Sequence, residues 1–347
     1  MPALLALFLG SAFLTGIAVE AMRRWAERRR FLDLPNARSS HTRPTPRGGG
    51  LPIAVLTLGA WLACAAFLPG LGWPRTLAFA AAAGLVAGVS WIDDLRSLPA
   101  AARLAAHGAA AVWSVWLLGA WTVVELPLAG SLDLGGWGFP LAVFWLTGLT
   151  NAYNFMDGID GIAGAQGLLA GLAWTVLGGW CAQPAVEGLG GVLAGACLGF
   201  LVHNWPPARI FMGDVGSAFL GFAFAALPLL LCAQAAPGED AARAPLAGVL
   251  VVWPFVFDTV FTLVRRLLKG EQLLSAHRSH LYQRLVIAGC SHRLVTCLYL
   301  GLAFLGALLA LAWFARLPGS EMAVLLAVPW LGLGLWAVVV YQERKRR

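Results

Sequence analysis

The sequence predicts an all-α polytopic membrane protein, a single integral domain over residues 1–347 with about eleven transmembrane helices. Three observations carry that expectation. The 347 residues are 59% hydrophobic and only 12% charged, outside the range of soluble domains. Apolar runs long enough to cross a bilayer recur from end to end, and no polar block between them is large enough to fold alone. When successive runs are given alternating directions, the Lys and Arg residues collect on one side.

The first run, residues 3–19, has no basic residue before it and Arg23, Arg24, Arg28, Arg29 and Arg30 after it. A signal peptide has the reverse polarity, so a retained anchor is expected. Residues 50–68 follow a Gly-rich entry, 75–91 run into the pair Asp93-Asp94, and 104–120 form the fourth run. VELPLAGSLDLGG then alternates partly around a Gly-Ser pair and reads as a small hairpin. Residues 138–153 lead into NAYNFMDGIDG, and 162–180 and 188–203 follow. After FMGDVGS come 217–235 and 246–267, then the basic loop RRLLKGEQLLSAHRSHLYQRL, and 294–314 and 322–341 complete the eleven.

An odd number of crossings puts the termini on opposite sides. One side then holds 21 of the 24 basic residues, the other only Arg75, Arg243 and Arg316. Because cytoplasmic loops carry the excess, the N-terminus is expected outside and the tail QERKRR in the cytoplasm. The formal net charge of +7 is accordingly a topology signal with some attraction to anionic lipid and phosphate; no nucleic-acid partner is implied. The six cysteines form no Cys-x-x-Cys pair and mostly sit within apolar runs, as core residues do.

The polar residues sort by side, and the cytoplasmic segments hold the dense clusters. Asp93 and Asp94 are adjacent, so on a helix their carboxylates point about 100° apart. Two roles follow: one faces a metal or phosphate, the other holds a cation or a backbone donor. The alternative is that both mark the membrane edge beside Arg96. In NAYNFMDGIDG the polar residues Asn151, Asn154, Asp157 and Asp160 recur every third residue, a pattern that drifts by roughly 60° per step on a helix. All four converge only if the helix breaks, which Gly158 and Gly161 permit. The segment contains no Lys or Arg to balance its acids. Asp214, flanked by Gly213 and Val215-Gly216, suits a hard divalent cation or the N-cap of the next helix.

The first cytoplasmic loop adds Ser40, His41, Thr45 and Arg47 before Gly48-Gly49-Gly50. Such a Gly-rich helix entry with basic and hydroxyl donors can hold a phosphate, or serve only as a flexible entry. The late loop adds His277, Arg278, His280, Tyr282, Gln283 and Arg284, either further phosphate donors or plain positive-inside residues. Carboxylates for a metal with cationic donors on one membrane face suit phosphoryl transfer. The chain shows no internal repeat, and its ionisable groups gather at helix ends; both weigh against the competing class, a lipid or ion transporter.

RSSHTRPTPRGGG, WIDDL, NAYNFMDGIDG, FMGDVGS and HRSHLYQRL occur in this order across nearly the whole chain. Together they resemble the polyprenyl-phosphate N-acetylhexosamine-1-phosphate transferases, glycosyltransferase family 4. The resemblance implies attack of undecaprenyl phosphate on a UDP-N-acetylhexosamine at the bacterial inner membrane, with the active site facing the cytoplasm. The products are an undecaprenyl-diphosphate sugar and UMP, with Mg²⁺ as cofactor and Mn²⁺ as its substitute. It further implies that Asp214 and the amide oxygen of Asn154 match magnesium positions, and that Asp93 and Asp94 orient or deprotonate the lipid phosphate. Asp157 and Asp160, with Asn151 ahead of them, match the acidic loop beside the nucleotide-sugar. Asn204 and Phe211 match residues near the uridine, and His280 the first His of the C-terminal motif.

Departures narrow the branch. Family members often read His-Leu-His-His-Arg where this chain has His280-Leu281-Tyr282-Gln283-Arg284, and a Lys often stands where it has Ser97. Both speak against the peptidoglycan enzyme. RSSHTRPTPRGGG with HRSHLYQR looks most like the branch that initiates O-antigen synthesis, whose donors include UDP-FucNAc and UDP-QuiNAc; UDP-GlcNAc is the alternative. A homodimer stays open.

Overall fold

Thirteen α-helices and two short antiparallel strand pairs are described in the computed structural model, which covers residues 2–35, 43–67, 72–234, 240–272 and 277–346. Within hydrocarbon every backbone N–H and C=O must be satisfied inside the chain, and a chain this apolar does so by forming helices. In chain order these are α1 (Pro2–Arg29), α2 (Gly50–Phe67), α3 (Trp73–Arg96), α4 (Ala100–Leu118), α5 (Gly138–Met156), α6 (Ile162–Trp180) and α7 (Pro184–Asn204). Then follow α8 (Asp214–Gln234), α9 (Ala244–Val251), α10 (Trp253–Leu268), α11 (Leu281–Ile287), α12 (His292–Phe314) and α13 (Ser320–Arg346). The protein is an all-α, multi-pass membrane protein.

Each expected apolar run is helical, but the count of spans differs. Among the described residues eight helices are long and apolar enough to cross a membrane, nine if one bent pair is a single span. That pair, α9 and α10, is the expected run 246–267 broken by a 70° bend. Pro254 is the cause: it has no N–H to donate, and its ring excludes the preceding turn. Helix α2 is the short member, and Asn151 and Asn154 make α5 too polar to qualify.

Helix α8 lies at the centre, almost wholly buried, with α3 and α5 against it. Helices α1 and α13 are peripheral and largely exposed, as lipid-facing helices are. At its start α2 touches the first turn of α8, where a Cβ on Gly50 would collide with the backbone of Gly216. Only glycine permits that approach.

The two ends of the bundle differ in chemistry. At one end a hairpin pairs β3 (Val123–Leu126) with β4 (Gly130–Asp133), after a two-residue pairing of β1 (Leu32–Asp33) with β2 (Thr45–Pro46) at the other. The β3–β4 hairpin was expected to turn at Gly-Ser; it turns instead over residues 127–129, and Gly130 and Ser131 lie in β4. Glu125 of this hairpin accepts from buried Arg243 at 2.5 and 2.9 Å and from Arg316 at 3.3 and 3.4 Å. Two of the three arginines on the sparsely charged side thus have structural roles. The opposite end gathers the last turns of α3, α5 and α7, the first turns of α2 and α8, and α11. The end of α13 joins it through Arg284 and Glu343, at 2.7 and 2.8 Å.

Candidate active site

The adjacent aspartates that end α3 divide their work. Asp94 Oδ1 accepts from the N–H of Asp214 at 3.1 Å and Oδ2 from the N–H of Val215 at 3.0 Å. A carboxylate from α3 therefore caps α8, satisfying orphan donors where the helix dipole is positive. The backbone carbonyl of Asp94 accepts from Arg47, whose guanidinium also lies 4.8 Å over the Phe31 ring. Asp93 turns the other way: it accepts from the N–H of Leu98 and, at 2.5 Å, from Arg103 Nη1. Arg103 Nη1 also donates to Asp214 Oδ2 at 3.1 Å. One guanidinium so joins two carboxylates that lie far apart in sequence. The two carboxylates point to different partners: Asp94 holds backbone donors of α8, and Asp93 holds the cation Arg103 together with a backbone donor.

Helix α5 ends at Met156 and α6 begins at Ile162, so the break expected near Gly158 occurs there. Asn154, in the last turn of α5, accepts at Oδ1 from Ser217 Oγ at 3.2 Å, which brings it to the first turn of α8 beside Asp214. Asn151 points back along its own helix and donates to Thr147 O at 2.7 Å. Asp157 has no hydrogen-bond or ion-pair partner for its carboxyl among the described residues. Burial pushes it up to about 7, and the charges of Asp94 and Asp160 add to the rise.

The sign of that shift makes a prediction. Ionised Asp157 costs the folded protein stability above the unfolded carboxyl value of about 4, and the cost levels off above about pH 7. Metal-free Asp157→Asn protein should melt higher than the parent at pH 8. The gap should close as pH falls from 7 to 4. Thermal melts in detergent across that range check it, and a gap that widens on acidification contradicts it.

Asp160 lies in a third group. Its Oδ2 accepts from the N–H of Ala208 at 3.0 Å, and Oδ1 is 3.3 Å from His292 Nδ1. Asn204 is buried and commits both ends of its amide to backbone: Oδ1 accepts from Gly161 N–H at 2.8 Å and Nδ2 donates to Ile210 O at 2.9 Å. Phe211 joins the loops, with its N–H donated to Pro46 O at 2.8 Å. Its carbonyl accepts from Gly49 at 2.9 Å, and Met212 O accepts from Gly50 at 2.8 Å. Those glycine N–H groups are thus used by the α8 approach and are not free for a phosphate, which corrects the first expectation for the Gly-rich entry. Thr45 is nearly buried in β2 and donates to Arg43 O at 3.1 Å; Ser40 and His41 lie outside the described residues.

The late loop is organised by a residue that sequence reading missed. Asp258, fully buried in α10, accepts from the N–H of Leu281 at 2.8 Å and of Tyr282 at 3.1 Å, capping α11. It also accepts from Tyr299 Oη at 2.6 Å and Thr262 Oγ1 at 3.2 Å, and lies 3.2 Å from His280 Nδ1. His280 is thereby fixed between the rings of His277, at 5.1 Å, and Tyr282, at 5.9 Å. Burial and the positive surroundings, His280 first, lower His277 to about 4, so near neutrality it is an uncharged imidazole beside Ser279 Oγ at 2.9 Å. Arg278 is half-buried near Tyr282, on which its charge acts. Arg284 faces away, held by Glu343.

Tyr282 stands where the sequence departs from the family pattern, and it links the two halves of the site. Its hydroxyl donates to Phe155 O at 2.9 Å, and a Cβ on Gly158 would run into that hydroxyl. Tyr282→Phe should cost about 1 kcal/mol of stability. Gly158→Ala should cost more, because either α11 or the α5–α6 turn must shift. Combining the two substitutions should recover part of that loss, since Tyr282→Phe removes the hydroxyl that the new Cβ meets. Melting temperatures of the three proteins test this; equal losses in the two single variants would contradict it.

Comparison with known proteins supplies the family. A model of glycosyl transferase family 4 matches residues 76–232. The decaprenyl-phosphate N-acetylglucosaminephosphotransferase of Mycobacterium tuberculosis (strain CDC 1551 / Oshkosh) is 34% identical over 330 residues, 86% of this chain and 80% of the relative. The chain belongs to the polyprenyl-phosphate sugar-1-phosphate transferases of glycosyl transferase family 4. The phospho-N-acetylmuramoyl-pentapeptide-transferase of Synechococcus sp. (strain JA-3-3Ab) is 36% identical, over 88% of this transferase and 90% of the relative. The Mycolicibacterium smegmatis (strain ATCC 700084 / mc(2)155) decaprenyl-phosphate N-acetylglucosaminephosphotransferase is 35% identical over 86% and 80%.

Two residues central to the transferase site were legible but unused. Arg103 entered the sequence reading only as a topology charge, yet it is an ionisable group at the head of an apolar helix. Asp258 interrupts the apolar run WPFVFDTVF, and an acid within a span marks a site by default. Ser217 and Tyr299 gave no comparable signal. Among the described residues the end of the bundle thus presents Asp93, Asp94, Asp157, Asp160 and Asp214; Arg103 bonds Asp93 and Asp214, Arg47 bonds the backbone of Asp94, and His292 lies beside Asp160.

Proposed function

We propose that the transferase moves N-acetylhexosamine 1-phosphate from a UDP-sugar to undecaprenyl phosphate, releasing UMP, at the cytoplasmic face of the bacterial inner membrane. The observation that carries the reading is the meeting of Asp93, Asp94 and Asp214 at the start of α8 with Asn154 beside them, and near them Asp157, whose carboxyl has no cation of its own among the described residues. Such a donor set, carboxylate and amide oxygens, fits a hard divalent cation. Among the described residues no group of three His, Cys, Asp or Glu side chains is placed to hold a metal ion. That suits Mg²⁺, or Mn²⁺ in its place, which takes one or two protein oxygens and completes its shell from phosphate and water.

Asn154 Oδ1 and Asp214 would hold the ion, which when bound neutralises the diphosphate. The chain's own residues do the rest. Arg103 fixes the direction of Asp214 and Asp93, Asp94 holds the start of α8, and Asp93, itself bonded to Arg103 and the Leu98 N–H, would orient or deprotonate the lipid phosphate. His280, steadied by Asp258, faces the diphosphate with Arg278. The nucleotide lies by Asp157, Asp160 and the Asn204–Phe211 loop, and a phosphate nucleophile already ionised near neutral pH needs mainly positioning.

For the donor, the motifs RSSHTRPTPRGGG and HRSHLYQR support UDP-FucNAc or UDP-QuiNAc, hence a start of O-antigen or a related surface polysaccharide. The mycobacterial relatives, which are N-acetylglucosaminephosphotransferases, support UDP-GlcNAc as the second reading. Purified protein with Mg²⁺, undecaprenyl phosphate and a panel of UDP-sugars should release UMP with at least one donor, and the preferred donor decides between them. No turnover with any donor, together with lipid movement across vesicles, would replace the enzyme by a transporter.

A further inference from the structure

Away from the Asp93–Asp214 cluster, a groove of about 800 Å³ runs along the end of α1 beside His203 of α7. Its size matches that of small-molecule sites. Along α1 the lining runs from Gly16, Ile17 and Ala21, through Glu20 and Arg24, which pair with each other, and Trp25, to Arg28 and Arg29. From Gly16 to Arg29 the helix rises about 20 Å. Helix α1 has 28 residues, about 42 Å, whereas a hydrocarbon core is about 30 Å thick, so its charged last turns stand in the headgroup layer. The groove straddles that boundary.

The charges in it are unequal in availability. Arg24 shares Glu20 with Arg23, at 2.7 and 2.8 Å, and His203 is held between Gly16 O at 3.0 Å and Arg209 at 2.9 Å. Arg28 and Arg29 are exposed and have no ion-pair partner among the described residues. Two such guanidiniums at headgroup depth, an interfacial Trp, and an apolar channel below them follow the order phosphate, glycerol, acyl chain. A second copy of this chain would bring like charge to the same place, and free phosphate would leave the apolar half unmatched.

We propose that this groove binds an anionic phospholipid, its phosphate on Arg28 and Arg29, its glycerol beside Trp25 and its upper acyl chain along Ala21, Ile17 and Gly16. None of Asp93, Asp94 and Asp214 lines the groove, and the proposal does not depend on the transfer reaction. The test uses the full-length protein in uncharged detergent with an equal mixture of phosphatidylglycerol and phosphatidylcholine, the retained lipid being weighed by native mass spectrometry. The parent should retain phosphatidylglycerol over phosphatidylcholine by about tenfold, and Arg28→Gln with Arg29→Gln should bring the ratio close to one. Asp214→Asn should leave the ratio unchanged, and the double variant should melt with the parent because both side chains are exposed. Equal retention by the parent, an unaltered ratio in the double variant, or loss of preference in Asp214→Asn instead would overturn the proposal. So would displacement of phosphatidylglycerol by inorganic phosphate alone.

Discussion

Asp214→Asn should lower UMP release at least about 10³-fold while the protein melts with the parent. The reason for expecting so clean a separation is local. Asp94 caps α8 through the backbone N–H groups of Asp214 and Val215, and an amide side chain at 214 leaves both bonds in place. What the substitution removes is the negative charge that Arg103 steers and that the proposed cation requires. Asp94→Asn provides the contrast: the amide offers one accepting oxygen to two N–H donors, so that variant should lose stability as well as turnover. Full activity in Asp214→Asn would remove the metal assignment, whereas a collapsed fold would show that the carboxylate itself holds α8.

Asp258→Ala should be the most destabilising single change at this end of the molecule, costing about 3–5 kcal/mol. Four donors, the N–H groups of Leu281 and Tyr282 and the hydroxyls of Tyr299 and Thr262, would be left without their acceptor in a buried place, and His280 would lose the group that orients it. Asp258→Asn should recover part of the loss, since one amide oxygen can still accept. Melting temperature and UMP release should fall together in the Ala variant. A variant that melts within about 1 °C of the parent would show that α11 is held by something else.

Much of this was legible in the sequence, for a simple reason. Within a membrane a polar residue is costly, so each one that persists in an apolar chain has a cause. That logic singles out Asp93, Asp94, Asn154, Asp157, Asp160, Asp214 and His280, which lie at one end of the bundle, and the break near Gly158, which the structure has. The same logic applies to Arg103 at the head of α4 and to Asp258 inside an apolar run, whose partners only the fold brings near. The phosphate expectation for Gly49 and Gly50 failed. A free N–H and one already donated to Phe211 or Met212 look identical in sequence.

By itself the sequence determined the fold class, the clustering of functional groups at one end, and the resemblance of the ordered motifs to the transferase family, because hydropathy, charge and motif order are properties of the chain. Only the tertiary structure decided which member of each pair does what. That Asp94 caps α8 while Asp93 meets Arg103, that Asn204 clamps two loops, that Arg284 turns to Glu343 and that Tyr282 reaches Phe155 all depend on partners brought in from elsewhere in the chain. Hydrogen bonds are short and directional, so which groups pair is fixed by packing, and no local pattern records it.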